Sequence, residues 1–255
     1  MPGTKALLIQ LSDPHLGADW GGADAAARLA AVVTEVRRIA PEPVAVIVSG
    51  DLAEHAADGE YQLLEELLAP LAAPIHVLPG NHDDRAVLRR HFALPGVDQE
   101  PVQYSVALGA LRLLALDSTD PGHDGGRLDG DRIAWFDAEL AVDTVTPTIV
   151  ALHHPPLVTG MPAADAIGLP AADTLALGGV LARHPQVRRV IAGHFHRTVV
   201  GELAGVSVLA APSTYLQATL DLSSTRLRFG QEPPAFALHF LREGALASHV
   251  ATITL

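Results

Sequence analysis

The sequence predicts a single α/β domain, residues 1–255, built on a mixed β-sheet with helices packed against it. Short β-branched apolar runs alternate with stretches in which apolar residues recur at helical spacing, a pattern typical of βαβ units. Apolar residues make up 49% of the chain, which is enough to bury one large core. Since neither an internal repeat nor a linker interrupts the pattern, we expect one domain.

The first third of the chain is predicted to contain three apolar strands separated by amphipathic helices. The first helix is indicated by Leu29, Val32 and Val36, which recur at helical spacing before Pro41 ends the pattern. The predicted elements are strand 6–11, helix 24–40, strand 44–48, helix 60–71, strand 75–78 and a helix after Asp83.

The remaining chain continues this alternation and adds a hairpin. Two alternating strands flank Gly109, which favours a tight turn there. The predicted elements are two strands in 104–116, helix 131–142, strand 148–152, helix 174–184, strand 187–192 and three or four further strands. Loops 118–130 and 157–173 are rich in Gly, Pro and Asp and long enough to shape a substrate site.

Composition excludes several classes of function. The chain has no cysteine, so a disulfide framework, a thiolate metal site and a cysteine nucleophile are all excluded. A net charge of -12 without a basic stripe argues against a nucleic-acid polymer as partner. The apolar run at 6–11 is too short for a signal peptide, and no stretch reaches the roughly 20 apolar residues of a membrane span. We therefore expect a cytoplasmic protein without a membrane partner.

Polar residues follow the carboxyl ends of five predicted strands, the edge at which ligands bind in α/β sheets. In Asp-x-His and His-x-His, extended backbone would point both side chains to one side. Glycines before Asp51, Asn81 and His194 would let the backbone turn sharply toward a shared point. The candidate metal ligands are Asp13, His15, Asp51, Asn81, His153, His194 and His196.

This ligand set predicts two metal ions. Imidazole, carboxylate and amide ligands suit manganese, iron or zinc, and seven are too many for one ion. Two ions bridged by Asp51, about 3.5 to 4 Å apart, would catalyse in-line displacement at phosphorus. Two divalent cations carry +4, and Asp13, Asp51 and a bridging hydroxide remove three, so about +1 remains for a phosphodiester monoanion. Because Asn81 is neutral, it preserves this attraction.

Five motifs in a fixed order resemble the calcineurin-like metallophosphoesterases. The amino-acid sequence most resembles the bacterial class III cyclic-nucleotide phosphodiesterases at 80–85, 116–118, 121–123 and 151–156. The motifs are Asp13-Pro14-His15, Gly50-Asp51, Gly80-Asn81-His82-Asp83, His153-His154-Pro155-Pro156 and Gly193-His194-Phe195-His196.

The resemblance implies a four-layer αββα sandwich of two mixed sheets flanked by helices, a dinuclear site and a homodimer. It selects His153 rather than His154 as a ligand, and it gives His82 a role in donating a hydrogen bond or proton to the substrate. It places the first metal on Asp13, His15, Asp51 and His196, and the second on Asp51, Asn81, His153 and His194.

The predicted function is hydrolysis of 3',5'-cyclic nucleotides to nucleoside monophosphates by a metal-bridging hydroxide. The alternative within the family is a broad-specificity or glycerophosphodiester phosphodiesterase, because one fold hosts many substrates. A non-catalytic scaffold should have lost ligands, and here all seven are present. A metal-dependent amidohydrolase would carry its His-x-His near the first strand and its Asp near the last, the reverse of this order.

Other polar and aromatic residues are interpreted as structural. We expect Asp83 to stabilise a helix N-terminus, and Arg85 and Arg197 to point to solvent. Trp20 is predicted to pack near His15 at the mouth of the pocket. Loops 118–130 and 157–173 contain no aromatic pair for base stacking, so base preference should be slight.

Overall fold

The computed structural model describes residues 5–254, and its elements alternate along the chain as the sequence predicts. The strands are β1 (Lys5–Leu11), β2 (Ala45–Ser49), β3 (Ile75–Leu78), β4 (Tyr104–Leu108), β5 (Leu111–Ala115), β6 (Thr148–Ala151), β7 (Val187–Ala192), β8 (Val199–Leu203), β9 (Val206–Ala210), β10 (Gln217–Ala218), β11 (Phe229–Gly230), β12 (Ala235–Arg242) and β13 (Ala245–Thr252). The helices are α1 (Ala25–Val36), α2 (Asp58–Leu68), α3 (Arg85–His91), α4 (Gly130–Val142), α5 (Pro162–Asp165) and α6 (Ala171–Leu181).

Two mixed sheets form the centre of the fold. One has the strand order β13-β12-β1-β2-β3, in which β1, β2 and β3 are parallel and β12 runs antiparallel to β1. The other has the order β4-β5-β6-β7-β9-β8, in which β5, β6, β7 and β9 are parallel. Strands β10 and β11 form a small third sheet.

Alternating side chains of each strand divide the apolar residues between an outer and an inner layer. Leu7 and Ile9 of β1 pack in the outer cluster with helices α1 and α2. Leu8 of β1 packs in the inner cluster with Leu113 of β5 and Ile149 of β6. Because α4 and α6 cover the outer face of the other sheet, the layers follow the order helix, sheet, sheet, helix. The predicted αββα sandwich is confirmed.

The predicted strands through 187–192 agree closely with the observed ones, and α4 ends at Val142 as predicted, whereas α1, α2 and α6 end earlier than predicted. Helix α1 ends at Val36 and α2 at Leu68, and α6 begins three residues before the predicted start. Six strands follow β7 within the described residues, not three or four. Helix α5 lies inside the predicted loop 157–173. None of the helices in 5–254 is long and apolar enough to cross a membrane.

A chain of buried polar groups crosses the interior between the two sheets. Gln10 of β1 donates its amide N–H groups to the carbonyl oxygen of Ala192 (2.8 Å) and to Ser49 Oγ (2.9 Å). The oxygen of Gln10 lies 3.1 Å from His239 Nε2, and His239 Nδ1 lies 2.7 Å from Ser248 Oγ. Because an amide oxygen only accepts, His239 donates through Nε2, and in its neutral form its Nδ1 accepts the hydroxyl of Ser248.

This neutral histidine makes stability depend on pH. Burial lowers the pKa of His239 to about 3, and the charge of Arg189 adds to the effect. In the unfolded chain the pKa is about 6.5. The contribution of the neutral ring is therefore complete above about pH 6.5 and is lost as the pH falls toward 3, because the unfolded chain binds the proton first. At about 1.4 kcal/mol per pH unit, roughly 2 kcal/mol should be lost by pH 5.

Denaturant unfolding of His239→Asn and of the wild type checks this expectation. The variant should be less stable near neutral pH, and the difference in free energy of unfolding should shrink by about 2 kcal/mol at pH 5. His249→Asn, an exposed histidine on β13, is the matched control and should show no such change. A difference for His239→Asn that is the same at both pH values would contradict the assignment.

Candidate metal centre

The seven predicted ligands converge at the carboxyl ends of parallel strands from both sheets. Strands β1, β2 and β3 lead into Asp13, His15, Asp51 and Asn81, and strands β6 and β7 of the second sheet lead into the three histidines. Every one of them except Asn81 is buried. The site is therefore built across the junction between the two sheets, as the positions of the residues past the strand ends predicted.

Four of these residues form one compact group. The ligand atoms of Asp13, His15, Asp51 and His196 all lie within 4.8 Å of one another. Nε2 of His15 lies 3.0 Å from Nε2 of His196 and 3.4 Å from Oδ2 of Asp51. This group coincides with the set predicted for the first metal.

A second group lies on the other side of Asp51. Nε2 of His153 lies 3.2 Å from Oδ1 of Asn81 and 3.3 Å from Oδ2 of Asp51. The rings of His153 and His194 are in edge contact, with centroids 5.0 Å apart. Since Oδ2 of Asp51 is within 3.4 Å of imidazole nitrogens in both groups, it occupies the position that a bridging ligand requires.

Each of the four histidines uses one ring nitrogen for an acceptor outside the centre. Metal-binding histidines characteristically do this, because the outer hydrogen bond fixes the ring orientation and the tautomer. The pairs are His15 Nδ1 with Glu54 Oε2 at 2.7 Å, His153 Nδ1 with the carbonyl oxygen of Ser49 at 2.8 Å, His196 Nδ1 with that of Leu216 at 2.9 Å and His194 Nε2 with that of Ile167 at 2.9 Å.

These outer bonds show that the residues fit metal ions. Since His15 and His196 donate outward through Nδ1, their Nε2 atoms carry lone pairs that face each other at 3.0 Å. Two lone pairs at that distance repel unless a proton or a metal ion is bound between them. The buried carboxylates of Asp13 and Asp51 supply matching negative charge. The His and Asp clusters thus form a site for two divalent cations.

The backbone of the centre is left-handed rather than extended. The extended-backbone explanation for Asp-x-His and His-x-His was therefore wrong, although the side chains do converge. Left-handed geometry is uncommon for non-glycine residues and is concentrated at functional sites. The site residues with positive φ are Asp13 (50°), His15 (45°), Asp51 (49°), His194 (68°) and His196 (45°).

The glycines next to the ligands are required mainly because neighbouring loops approach their backbone closely. Only Gly50, with φ of 97°, turns as predicted. At Gly80 a Cβ would lie 2.2 Å from Oδ1 of Asp51, and at Gly193 it would lie 2.0 Å from Oγ of Ser12 and 2.9 Å from Oδ2 of Asp13. Neighbouring ligand loops thus pack directly against bare backbone.

Gly193→Ala should displace the loops that carry Asp13 and His194. Forcing a methyl group into this contact should destabilise the protein by about 1–3 kcal/mol and lower the bound metal content. Gly179→Ala is the matched control, because a Cβ there meets nothing within 4 Å on the exposed side of α6. The control should raise stability slightly through helix propensity. Thermal unfolding and elemental analysis check both variants, and an unchanged Gly193→Ala protein would contradict the packing argument.

His154 anchors a loop. Its Nε2 lies 3.2 Å from the carbonyl oxygen of Asp124, so it donates there, and Nδ1 accepts the hydroxyl of Ser118 at 2.9 Å. Burial and the adjacent His153 lower its pKa to about 3, so the ring is neutral. Although its ring lies beside those of His153 and His194, both nitrogens are engaged with loop 118–130.

Two expectations about neighbouring charged residues were wrong. The N-terminus of α3 is capped by Asp84 and not by Asp83. The carboxylate of Asp83 instead accepts hydrogen bonds from backbone N–H groups next to the ligand loops. Arg85 does not point to solvent, because it is buried against Asp117 at 2.8 Å. Arg197 is partly buried and donates to the carbonyl oxygen of Ala218 at 3.0 Å.

Glu54 is a functional residue that the sequence did not reveal. Its carboxylate orients His15, and its carbonyl oxygen accepts from Nδ1 of His82 at 3.1 Å. A second carboxylate oxygen lies 3.8 Å from the same nitrogen of His82. Nε2 of His82 therefore remains free in a partly exposed ring that lines the cavity. Glu54 lies three residues after Asp51 and belongs to no recognisable motif, so nothing in the sequence indicated its role.

The charges around Asp51 favour its ionised form. Burial acts to raise the pKa of Asp51, but His153 and His15 outweigh it and hold that pKa well below the usual range. For Asp83, burial and then the nearby Asp51 raise the pKa to about 6. Asp51 is therefore a carboxylate at neutral pH and can bind cations.

The centre opens into a cavity of about 310 Å³. Its floor is formed by ligand residues and His82, and its mouth by apolar side chains. Trp20 lies 5.5 Å from His15 between ring centroids, as predicted. Loops 118–130 and 157–173 supply Asp124 and Ile167 and no aromatic residue to the lining. An aromatic partner for Trp20 comes instead from β11, where Phe229 lies 4.9 Å away.

Comparisons with known proteins agree with this architecture. A cAMP/cGMP dual specificity phosphodiesterase of Mycobacterium tuberculosis (strain CDC 1551 / Oshkosh) is 34% identical over 241 residues, covering 91% of this chain and 75% of that protein. The glycerophosphodiester phosphodiesterase GpdQ of Enterobacter lignolyticus (strain SCF1) is 32% identical over 241 residues, covering 91% and 86%.

The fold also matches a solved structure. A dimetal phosphatase from Danio rerio superposes with a TM-score of 0.67 at 16% identity, covering 98% of this chain and 99% of that one, which shows a shared fold. The family model for calcineurin-like phosphoesterases matches residues 7–198, a span that contains all seven predicted ligands and His82. The chain belongs to the calcineurin-like phosphoesterase family.

Proposed function

We propose that the protein is a dinuclear metal-dependent phosphodiesterase that hydrolyses 3',5'-cyclic nucleotides to nucleoside monophosphates. The observation that carries the proposal is the position of Asp51 Oδ2, within 3.4 Å of imidazole nitrogens in both ligand groups. Asp13, His15, Asp51 and His196 would hold one cation. Asp51, Asn81, His153 and His194 would hold the other.

The cations would supply an activated water as nucleophile and would neutralise charge on the phosphate. The chain's own contribution is to fix the ligands through the outer hydrogen bonds and to position His82. Because Nδ1 of His82 faces a carbonyl oxygen, a neutral ring carries its proton on Nδ1, and donation from Nε2 requires the imidazolium form. His82 would thus protonate the leaving oxygen as its bond to phosphorus breaks.

The charge of the site supports a diester. Two divalent cations with Asp13, Asp51 and one hydroxide leave about +1, which suits a monoanion. Arg85, one of two arginines near the motifs, is paired with Asp117 and is not available to a second phosphate charge. The relatives named above act on cyclic nucleotides or glycerophosphodiesters by name, so the alternative substrate is a glycerophosphodiester.

A phosphoester panel tests the function. Metal-stripped protein is reconstituted with manganese, iron or zinc and assayed with cyclic AMP, cyclic GMP, glycerophosphoethanolamine, bis(p-nitrophenyl) phosphate and p-nitrophenyl phosphate. We expect cyclic nucleotides to have the highest specificity constants. A monoester that is cleaved faster than every diester would exclude the diesterase assignment. Hydrolysis of glycerophosphoethanolamine alone would favour the alternative.

Further proposals concern the ions and the assembly. We propose manganese or iron as the native ions, with zinc as the alternative, because the ligands mix imidazole, carboxylate and amide oxygen. A homodimer is proposed from the resemblance alone, and light scattering of the purified protein tests it. The single domain spanning 1–255 and the cytoplasmic location stay predictions.

A further inference from the structure

An aromatic wall borders the metal centre, formed by Trp20 and Phe229. The two rings meet at 53° with centroids 4.9 Å apart, and both line the cavity that holds the ligand histidines. Phe229 is 38% exposed, although it lies at the entrance to a buried polar site. Leu227 and Ile167 extend the apolar lining. The carbon atoms of these side chains offer no charge to a phosphate, so the wall suits an apolar group on the substrate.

The wall is held in place by the same elements that hold the ligands. The buried Tyr215 contacts Trp20 edge-on, with centroids 4.8 Å apart, and its hydroxyl donates to the carbonyl oxygen of Trp20. Phe229 pairs with Ala218 in the small β10–β11 sheet, and the N–H of Ala218 donates to the carbonyl oxygen of His196 at 2.8 Å. The aromatic wall is therefore pre-organised relative to the ligand His196.

The distances place the wall next to two of the candidate metal ligands. The ring of Phe229 lies 5.1 Å from that of His196, and the ring of Trp20 lies 5.5 Å from that of His15, both between centroids. A substrate whose phosphate reaches these histidines brings its nearest substituent against the rings. Flat aromatic substituents gain most from such a surface, because bases stack on aromatic side chains with little regard to sequence.

We propose that Trp20 and Phe229 form a subsite that stacks against the nucleobase of a nucleoside cyclic phosphate. The inference rests on the proposed function and deepens it, because it selects nucleoside diesters over aliphatic ones. Because aromatic and aliphatic side chains line this part of the cavity, we expect little discrimination between the two purine bases. Stacking holds the base while the ligand groups hold the phosphate.

Phe229→Ala measures the contribution to substrate choice. The ratio of kcat/KM for cyclic AMP to that for glycerophosphoethanolamine should fall about tenfold, and Phe229→Trp should restore it. Leu175→Ala is the control, because Leu175 is an exposed apolar residue on α6 outside the cavity lining, and the ratio should stay at the wild-type value. A ratio unchanged by Phe229→Ala would overturn the subsite while leaving the diesterase assignment intact.

A binding measurement separates the subsite from catalysis. The chain has two tryptophans, and Trp135 packs against the outer core on α4. AMP should therefore quench the fluorescence of Trp135→Phe, which retains Trp20, and not that of Trp20→Phe. Phe229→Ala should weaken the quenching. Quenching by AMP without hydrolysis of any diester would refute the proposed function and keep the subsite; hydrolysis without any quenching would refute the subsite alone.

Discussion

Asp51→Asn should reduce diester hydrolysis by at least about 10²-fold and lower the bound metal content. Changing a residue that only orients a ligand already costs 10–100-fold, and Asp51 faces both ligand groups. Its Oδ1 accepts from the backbone N–H of His82 at 3.0 Å, a bond that the amide oxygen of asparagine can keep, so the substitution tests mainly the loss of negative charge. Elemental analysis and specificity constants measure the two effects.

The control for this substitution is Asp131→Asn. Asp131 is exposed in the first turn of α4, so its loss of charge should leave metals and turnover unchanged. If Asp51→Asn keeps two metals per chain with near-normal turnover, Asp51 is not the bridge. A loss confined to one of the two metals would assign Asp51 to a single site.

His82→Ala should lower turnover by roughly 10²-fold with the metals retained, as is typical of a positioned acid. The loss should depend on the leaving group. Bis(p-nitrophenyl) phosphate releases a phenolate that needs little protonation, so its hydrolysis should fall much less than that of cyclic AMP, which releases an alkoxide. This contrast distinguishes proton donation from a general loss of binding.

His55→Ala is the matched control, because His55 is an exposed histidine that contacts Glu60 at 2.8 Å rather than the cavity. Its turnover should equal that of the wild type. Loss of metal from His82→Ala would instead make His82 a metal ligand or its support. Equal losses with both substrates would rule out the role as acid.

The central strands could be predicted from sequence because they are rich in apolar and β-branched residues, as in AVIVS of β2 and TIVA of β6, and end in polar or glycine-containing loops. Strand β3 agrees with its predicted bounds. The strands after β7 were harder to predict. Strands β10 and β11 have two residues each and are held by pairing with each other, so no local pattern marks them. Helix α1 ended early although Ile39 continues its apolar spacing.

The ligands could be predicted because their chemistry is concentrated in short motifs past strand ends. The residues that hold the ligands in position could not be predicted. Gln10 reaches Ala192 across 182 positions, and Glu54 reaches His15 across 39, so neither contact leaves a local signal. Trp20 and Phe229 are also far apart in the sequence, so their contact leaves no local signal either. The backbone conformation was predicted wrongly, because spacing of two residues suits both extended and left-handed geometry.

The position of β12 determines when the metal centre can form during synthesis. Strand β1 leads into the first two ligands, and on one side it pairs with β12 through six residue pairs, from Lys5 with Arg242 to Gln10 with Ala237. Residues 235–242 therefore have to be synthesised before β12 can pair with β1. Until then the nascent chain exposes an unpaired strand edge, which invites aggregation or chaperone binding. The loop that carries Asp13 and His15 therefore gains its full support from the sheet only after β12 has paired with β1.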